Sequence, residues 1–156
     1  ALVTKIIFCP LLTETIAKPN IDGHLSPRQK TLHESTRENP MSDIQRTDPG
    51  PRMSKAVRHG NTIYTMGHVA RNRDGDIREQ TADVLERLDT TLAEMGSDKS
   101  KLLSVTIYLA DMAEFQGMNE IWDGWVDGPN APARATVGAP LATPEIRVEI
   151  TAIASA

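Results

Sequence analysis

The 156-residue chain is long enough for one domain with a sizeable hydrophobic core, and its 39% hydrophobic and 24% charged residues are those of an ordinary globular protein. No apolar run approaches the ~20 residues of a membrane span, and a formal net charge of −4 leaves no basic footprint for nucleic acid. The single cysteine, Cys9, excludes an internal disulfide framework and a cysteine metal cluster, so a reducing cytoplasm is the expected compartment.

Residues 1–40 carry no sustained hydrophobic period and are interrupted by Pro10, Pro19, Pro27 and Pro40. Their opening IIFCPLL is too short for a signal peptide and no small-residue cleavage site follows it. The stretch reads as a disordered leader, translated from upstream of a natural start at Met41, with the folded domain over 41–156. His24 and His33 lie in it with Cys9, at spacings that match no zinc site.

After a loop at 46–53 (RTDPGPRM), the stretches SKAVRH and NTIYTMGHVA are predicted as two short strands, with Gly60-Asn61 as the hairpin turn between them. A second loop, RNRDGDI, turns at Asp74-Gly75; the Asp74–Asp76 pair is too short for a calcium loop. EQTADVLERLDTTLAEMG then sets Val84, Leu85, Leu88, Leu92 and Met95 on one helical face, with Gly96 as the left-handed terminator. SVTIYLA changes to period two, Val105, Ile107 and Leu109 facing one way and Thr106 and Tyr108 the other. Asp111 and Glu114 have the spacing of a capping box ahead of a helix striped by Phe115, Met118, Trp122 and Trp125, which DGPN at 127–130 ends.

Final strands are expected around ARATVGA and IRVEITAIA. The order β-β-α-β-α-β-β describes an α+β sandwich with two helices on one face of a sheet. Unless the leader supplies one, no helix remains for the other face, which points to association of copies through the sheet.

Chemistry concentrates on Arg134 and Glu149. Alternation puts Arg134 and Thr136 on one side of their strand, and Glu149 with Arg147 and Thr151 opposite the apolar face of Ile146, Val148 and Ile150. On spacing alone the two form either a structural ion pair between neighbouring strands or a working pair. In the second case the guanidinium grips a carboxylate in bidentate fashion and the glutamate orients a water. His59 and His68 border the hairpin and read as edge or loop histidines rather than acid–base groups. Trp122 and Trp125 read as core or interface packing, and neither a phosphate-binding loop nor a nucleophile elbow occurs.

Four stretches, GNTIYTMGHVA, VTIYLADMAEFQGMNEIW, APARATVGAP and VEITAIA, resemble the Rid family (reactive intermediate deaminases, also called YjgF-type proteins) over roughly residues 49–154. The resemblance implies a chorismate-mutase-like fold assembled as a homotrimer with a site in each cleft between subunits. It also implies hydrolysis of 2-imino or enamino acids to 2-keto acids and ammonia, without metal or cofactor. Arg134 would grip the substrate carboxylate, Glu149 would position the attacking water, and Gly67 and the backbone around Thr136 would line the pocket. Asn119 and Pro132 match positions kept for shape. The chain departs from the pattern in RMSKAV, where the family usually has PYSQAV, so that Met53 replaces a pocket tyrosine. It departs again in TMGH, where Met66 and His68 take serine and glutamine positions, and at Thr136, often a cysteine. A larger and less polar pocket wall follows. Two other functions fit the same residues: a non-catalytic trimer that binds small 2-keto acids, and a ribonuclease or translation inhibitor, which the acidic charge disfavours.

Overall fold

A computed structural model describes residues 44–156; the expected leader at 1–40 and a start at Met41 lie outside the described residues. The strands are β1 (Gln45–Thr47), β2 (Ala56–His59), β3 (Thr62–Thr65), β4 (His68–Val69), β5 (Leu102–Leu109), β6 (Ala133–Gly138) and β7 (Val148–Ser155). Two helices, α1 (Ile77–Glu94) and α2 (Phe115–Trp125), complete the α+β arrangement. The strands form one sheet in the order β1-β2-β3-β7-β5-β6, with β4 on β7. All pairings are antiparallel except β5 with β6, which are parallel and joined through α2. Among the described residues no helix is long and apolar enough to cross a membrane.

The predicted order holds, with two differences. Arg46 and Thr47 were expected to begin a loop, and instead Gln45–Thr47 pairs with β2 as an edge strand. The stretch NTIYTMGHVA, expected as one strand, is interrupted at Met66-Gly67. Tyr64 pairs with Ile153 and His68 with Ile150, so four steps on this strand face three on β7. The extra residue is a bulge, and a bulge switches the side to which later residues point. Thr65 patches the gap: its Oγ1 accepts from the Ala152 N–H at 3.0 Å and its carbonyl accepts from the Thr151 hydroxyl at 3.0 Å.

Helix α1 begins earlier than its apolar stripe suggests, because Asp76 caps it. The Asp76 carboxylate accepts from the N–H groups of Arg78 and Glu79, and the Glu79 side chain accepts from the Asp76 N–H. This is the reciprocal capping box. The box expected at Asp111 and Glu114 does not form: Asp111 caps a 3-10 turn over Met112–Glu114, and the Glu114 side chain pairs with Arg147. At the far end Gly96 has φ +77°, and the Gly96 and Ser97 N–H groups return to the carbonyls of Ala93 and Leu92. That pattern is a Schellman terminator, and the positive φ is what glycine supplies there.

The core lies between the helices and one sheet face. Val84, Leu85, Leu88 and Leu92 of α1 and Met118 and Trp122 of α2 meet Val105, Ile107, Leu109, Val148 and Ile150, all buried. Gln80 is fully buried within it. Its amide donates to the carbonyls of Arg73, Gly75 and Glu145 and accepts from the Arg147 N–H, so α1 fixes the entry to β7.

Candidate functional site

The last strand carries Glu149 on the open face of the sheet. Val148 and Ile150 fill the core, so Glu149 turns away from the helices, beside Tyr108 across the β5 pairing. Its carboxylate lies against Gly67 in the bulge, where a Cβ would come within 1.8 Å of Oε1. A side chain at position 67 would have to push the carboxylate out of this position. Gly67, Tyr108, Thr151, Glu149 and the segment Ala139–Pro140–Leu141 enclose an open cleft of about 420 Å3. The Glu149 carboxylate makes no ion pair or hydrogen bond with a described residue, which leaves its oxygens available to a water or a ligand in that cleft.

Arg134 occupies a different place. It lies on the edge strand β6 in register with Val105, a core-facing residue, and so projects to the helix side of the sheet. Its guanidinium stacks over the buried Trp122 ring, 5.1 Å from the centroid. Trp122 in turn packs at 5.3 Å against Trp125, whose indole N–H is held by Asp89 at 2.8 Å. Cation–π contact fixes where the guanidinium sits without consuming its N–H donors. Arg134 is exposed and makes no ion pair with any described residue.

This geometry removes the ion pair between neighbouring strands. β5 separates β6 from β7, and Arg134 and Glu149 point to opposite faces of the sheet. Within one chain they cannot hold the same small ligand.

The other expected residues divide between these places and a third. Thr136 is on the helix side with Arg134, and Asn119 lies on α2; Thr136 Oγ1 and Asn119 Oδ1 are both buried with no hydrogen-bond partner. Gly67 joins Glu149. Met53 and Met66 line a separate cavity of about 520 Å3. Pro132 is half-buried just before β6.

His59 is exposed at the end of β2. His68 is not the edge or loop histidine expected, since the bulge turns it into the core, fully buried. Its Nδ1 lies 3.1 Å from the Met66 carbonyl and its Nε2 2.9 Å from the Thr91 hydroxyl. Burial, followed by the nearby charge of Arg87, lowers its pKa to about 4. Sequence reasoning also left Tyr108 out of the site, although its period-two alternation put it on the face opposite Ile107, the side that Glu149 takes.

Residues 44–156 match the family model described as Endoribonuclease L-PSP. The chain is similar to the RutC family protein YoaB of Escherichia coli strain K12, at 46% identity over 112 residues, covering 72% of this chain and 97% of YoaB. It is similar at 43% to a RutC family protein of Haemophilus influenzae, covering 72% of this chain and 97% of that one. Among solved structures, a member of the YjgF protein family from Neisseria meningitidis superposes with a TM-score of 0.72 at 46% identity, covering 74% of this chain and 96% of that chain.

Proposed function

The chain belongs to the YjgF/RutC family of L-PSP-type proteins and has its chorismate-mutase-like fold, and from that premise we propose that it hydrolyses 2-imino or enamino acids to 2-keto acids and ammonia. One observation carries the reading. An arginine stacked on Trp122 with free donors and a glutamate with free oxygens beside Gly67 stand on opposite faces of the sheet. Two copies meeting through the open face, as in a homotrimer, would bring the Arg134 edge of one to the Glu149 cleft of the next. A site completed between subunits uses both groups.

In that site Arg134 binds the substrate carboxylate through paired N–H donors, with its plane set by Trp122. Glu149 orients a water toward the imine carbon and accepts a proton as the C–O bond forms. The proton passes to the nitrogen of the tetrahedral adduct, the C–N bond breaks, and ammonia and the 2-keto acid leave. Imine and water enter, keto acid and ammonia depart, and no redox change occurs. A protonated imine is already electrophilic, so positioning and proton transfer suffice, and the reading includes no metal or cofactor.

The test is ammonia release from 2-imino acids generated in the assay. Arg134→Ala should lower kcat/KM at least about 100-fold with the oligomer intact by light scattering, as expected for loss of a bidentate charged contact. Unchanged turnover removes Arg134 from the site. Binding of 2-keto acids with no turnover of any imine would instead make the protein a non-catalytic ligand-binding trimer. The description of the matching family model favours RNA cleavage as a second reading. A net charge of −4 supplies no basic stripe for it. Nuclease activity that survives stringent purification and is abolished by Glu149→Gln would support it.

A further inference from the structure

The cavity of about 520 Å3 beside Met66 is within the size range that holds small molecules. It adjoins the Glu149 cleft through the chain itself: Met66 lines one and the next residue, Gly67, lines the other. Met53, Met66 and Pro51 give it apolar walls. Its charged lining is unbalanced. Arg52, Lys55 and Arg87 face one carboxylate, Asp48.

Each of these charges has a different status. Lys55 is neutralised from outside the cavity by both oxygens of Glu94, at 2.7 and 2.8 Å. Arg87 spends one donor on the Val69 carbonyl and meets no carboxylate among the described residues, and its charge is felt by His68. Arg52 is exposed with no hydrogen bond or ion pair to a described residue, Asp48 included. Two guanidiniums are thus left against a single carboxylate, in a hollow whose other walls are thioether and proline. Guanidinium groups in such a setting retain most of their donors for a planar anion.

We infer that this cavity takes the substrate side chain, and that it selects 2-imino acids whose side chain ends in a second carboxylate. The inference rests on the imine-hydrolase reading for its reaction, while the cavity's preference for an anion stands apart from turnover. Met53 and Met66 cover the methylene stem and Arg87 and Arg52 receive the terminal carboxylate.

The experiment compares four- and five-carbon 2-imino dicarboxylates with their side-chain amides, which match them in size and lack only the charge. It also titrates the corresponding 2-oxo dicarboxylates and 2-oxo amides by calorimetry. The wild-type protein should favour the dicarboxylates at least about tenfold in both kcat/KM and Kd. The preference should shrink toward unity in Arg87→Gln and in Arg52→Gln, the latter at an exposed residue that contributes no described contact to the fold. Equal use of acid and amide, a preference for purely apolar side chains, or a preference that survives both variants overturns the inference. Should no imine be hydrolysed at all, the reaction reading fails, and the calorimetric preference with its loss in the two variants still decides the role of the cavity.

Discussion

Burial, more than any single contact, sets the behaviour of His68. The Met66 carbonyl can only accept, so in the neutral ring Nδ1 carries the proton, and Nε2 lies against the Thr91 hydroxyl, whose single proton is shared with the Arg87 carbonyl at 3.0 Å. Arg87 and Lys55, the latter held by Glu94, face the ring as cations and oppose a further proton. The folded-state pKa of about 4 lies below the ordinary 6.5. Below pH 6.5 the unfolded chain therefore binds a proton that the folded one refuses. Stability from this group is complete above pH 6.5 and declines as the pH falls toward 4, by about 2 kcal/mol at pH 4.5. Urea unfolding at pH 7.5 and 4.5 should show this loss in the wild type and lack it in His68→Gln, whose amide can reach the same two partners without titrating. An equal acid sensitivity of the two proteins would locate the effect elsewhere. Alternation made Arg134 and Glu149 legible in the sequence, since each interrupts an apolar strand pattern. The burial of His68 was not legible, because it depends on a one-residue bulge that neither composition nor period records.

The elements were legible where hydrophobic period and end signals agree. β5, the Gly60-Asn61 hairpin and the Gly96 terminator emerge as expected, each with local chemistry that demands it. The start of α1 did not, because its capping pair, Asp76 with Glu79, lies ahead of the apolar stripe that marks the helix in the sequence. Asp76 with Glu79 and Asp111 with Glu114 share the same spacing. Each precedes its own helix, and tertiary structure decides which box closes: Arg147 draws the Glu114 side chain away, while the Glu79 side chain reaches the Asp76 N–H. Asp76 consequently holds two orphan N–H groups at the first turn of an 18-residue helix that places Ile77, Val84, Leu85, Leu88 and Leu92 in the core. Asp76→Ala should lower Tm by several degrees, whereas Asp111→Ala, which frees only a 3-10 turn, should lower it by much less. Thermal unfolding of the two variants side by side checks the order, and the reverse order would contradict the assignment. The same cap, with Gln80 one turn later, ties the 73–75 loop and the entry to β7, and so holds Glu149 at a distance.

At the scale of the molecule the unresolved partner is the open sheet face. Tyr64, Ile153 and Val137 leave it exposed, the first and last at 48% and 43%, and a hollow of about 190 Å3 lies among Tyr64, Ser104, Thr106, Thr151 and Ile153. A monomer would present this surface to water at a cost that association removes. Alternation in the sequence pointed to this face, but not to its consequence, that Arg134 and Glu149 stand back to back across the sheet. That opposition makes the number of subunits per site measurable. In a site built from Arg134 of one copy and Glu149 of the next, an Arg134→Ala protein and a Glu149→Gln protein are each inactive at every interface. Dissociated, mixed in equal amounts and reassembled, they regain interfaces where an intact arginine meets an intact glutamate. Random assembly makes that about one interface in four, so the mixture should recover roughly a quarter of wild-type ammonia release. A site drawing both residues from one copy would recover nothing, because every copy in the mixture lacks one of them. Recovery must also require reassembly: simple mixing of the two assembled proteins, without dissociation, should restore activity only at the rate at which subunits exchange.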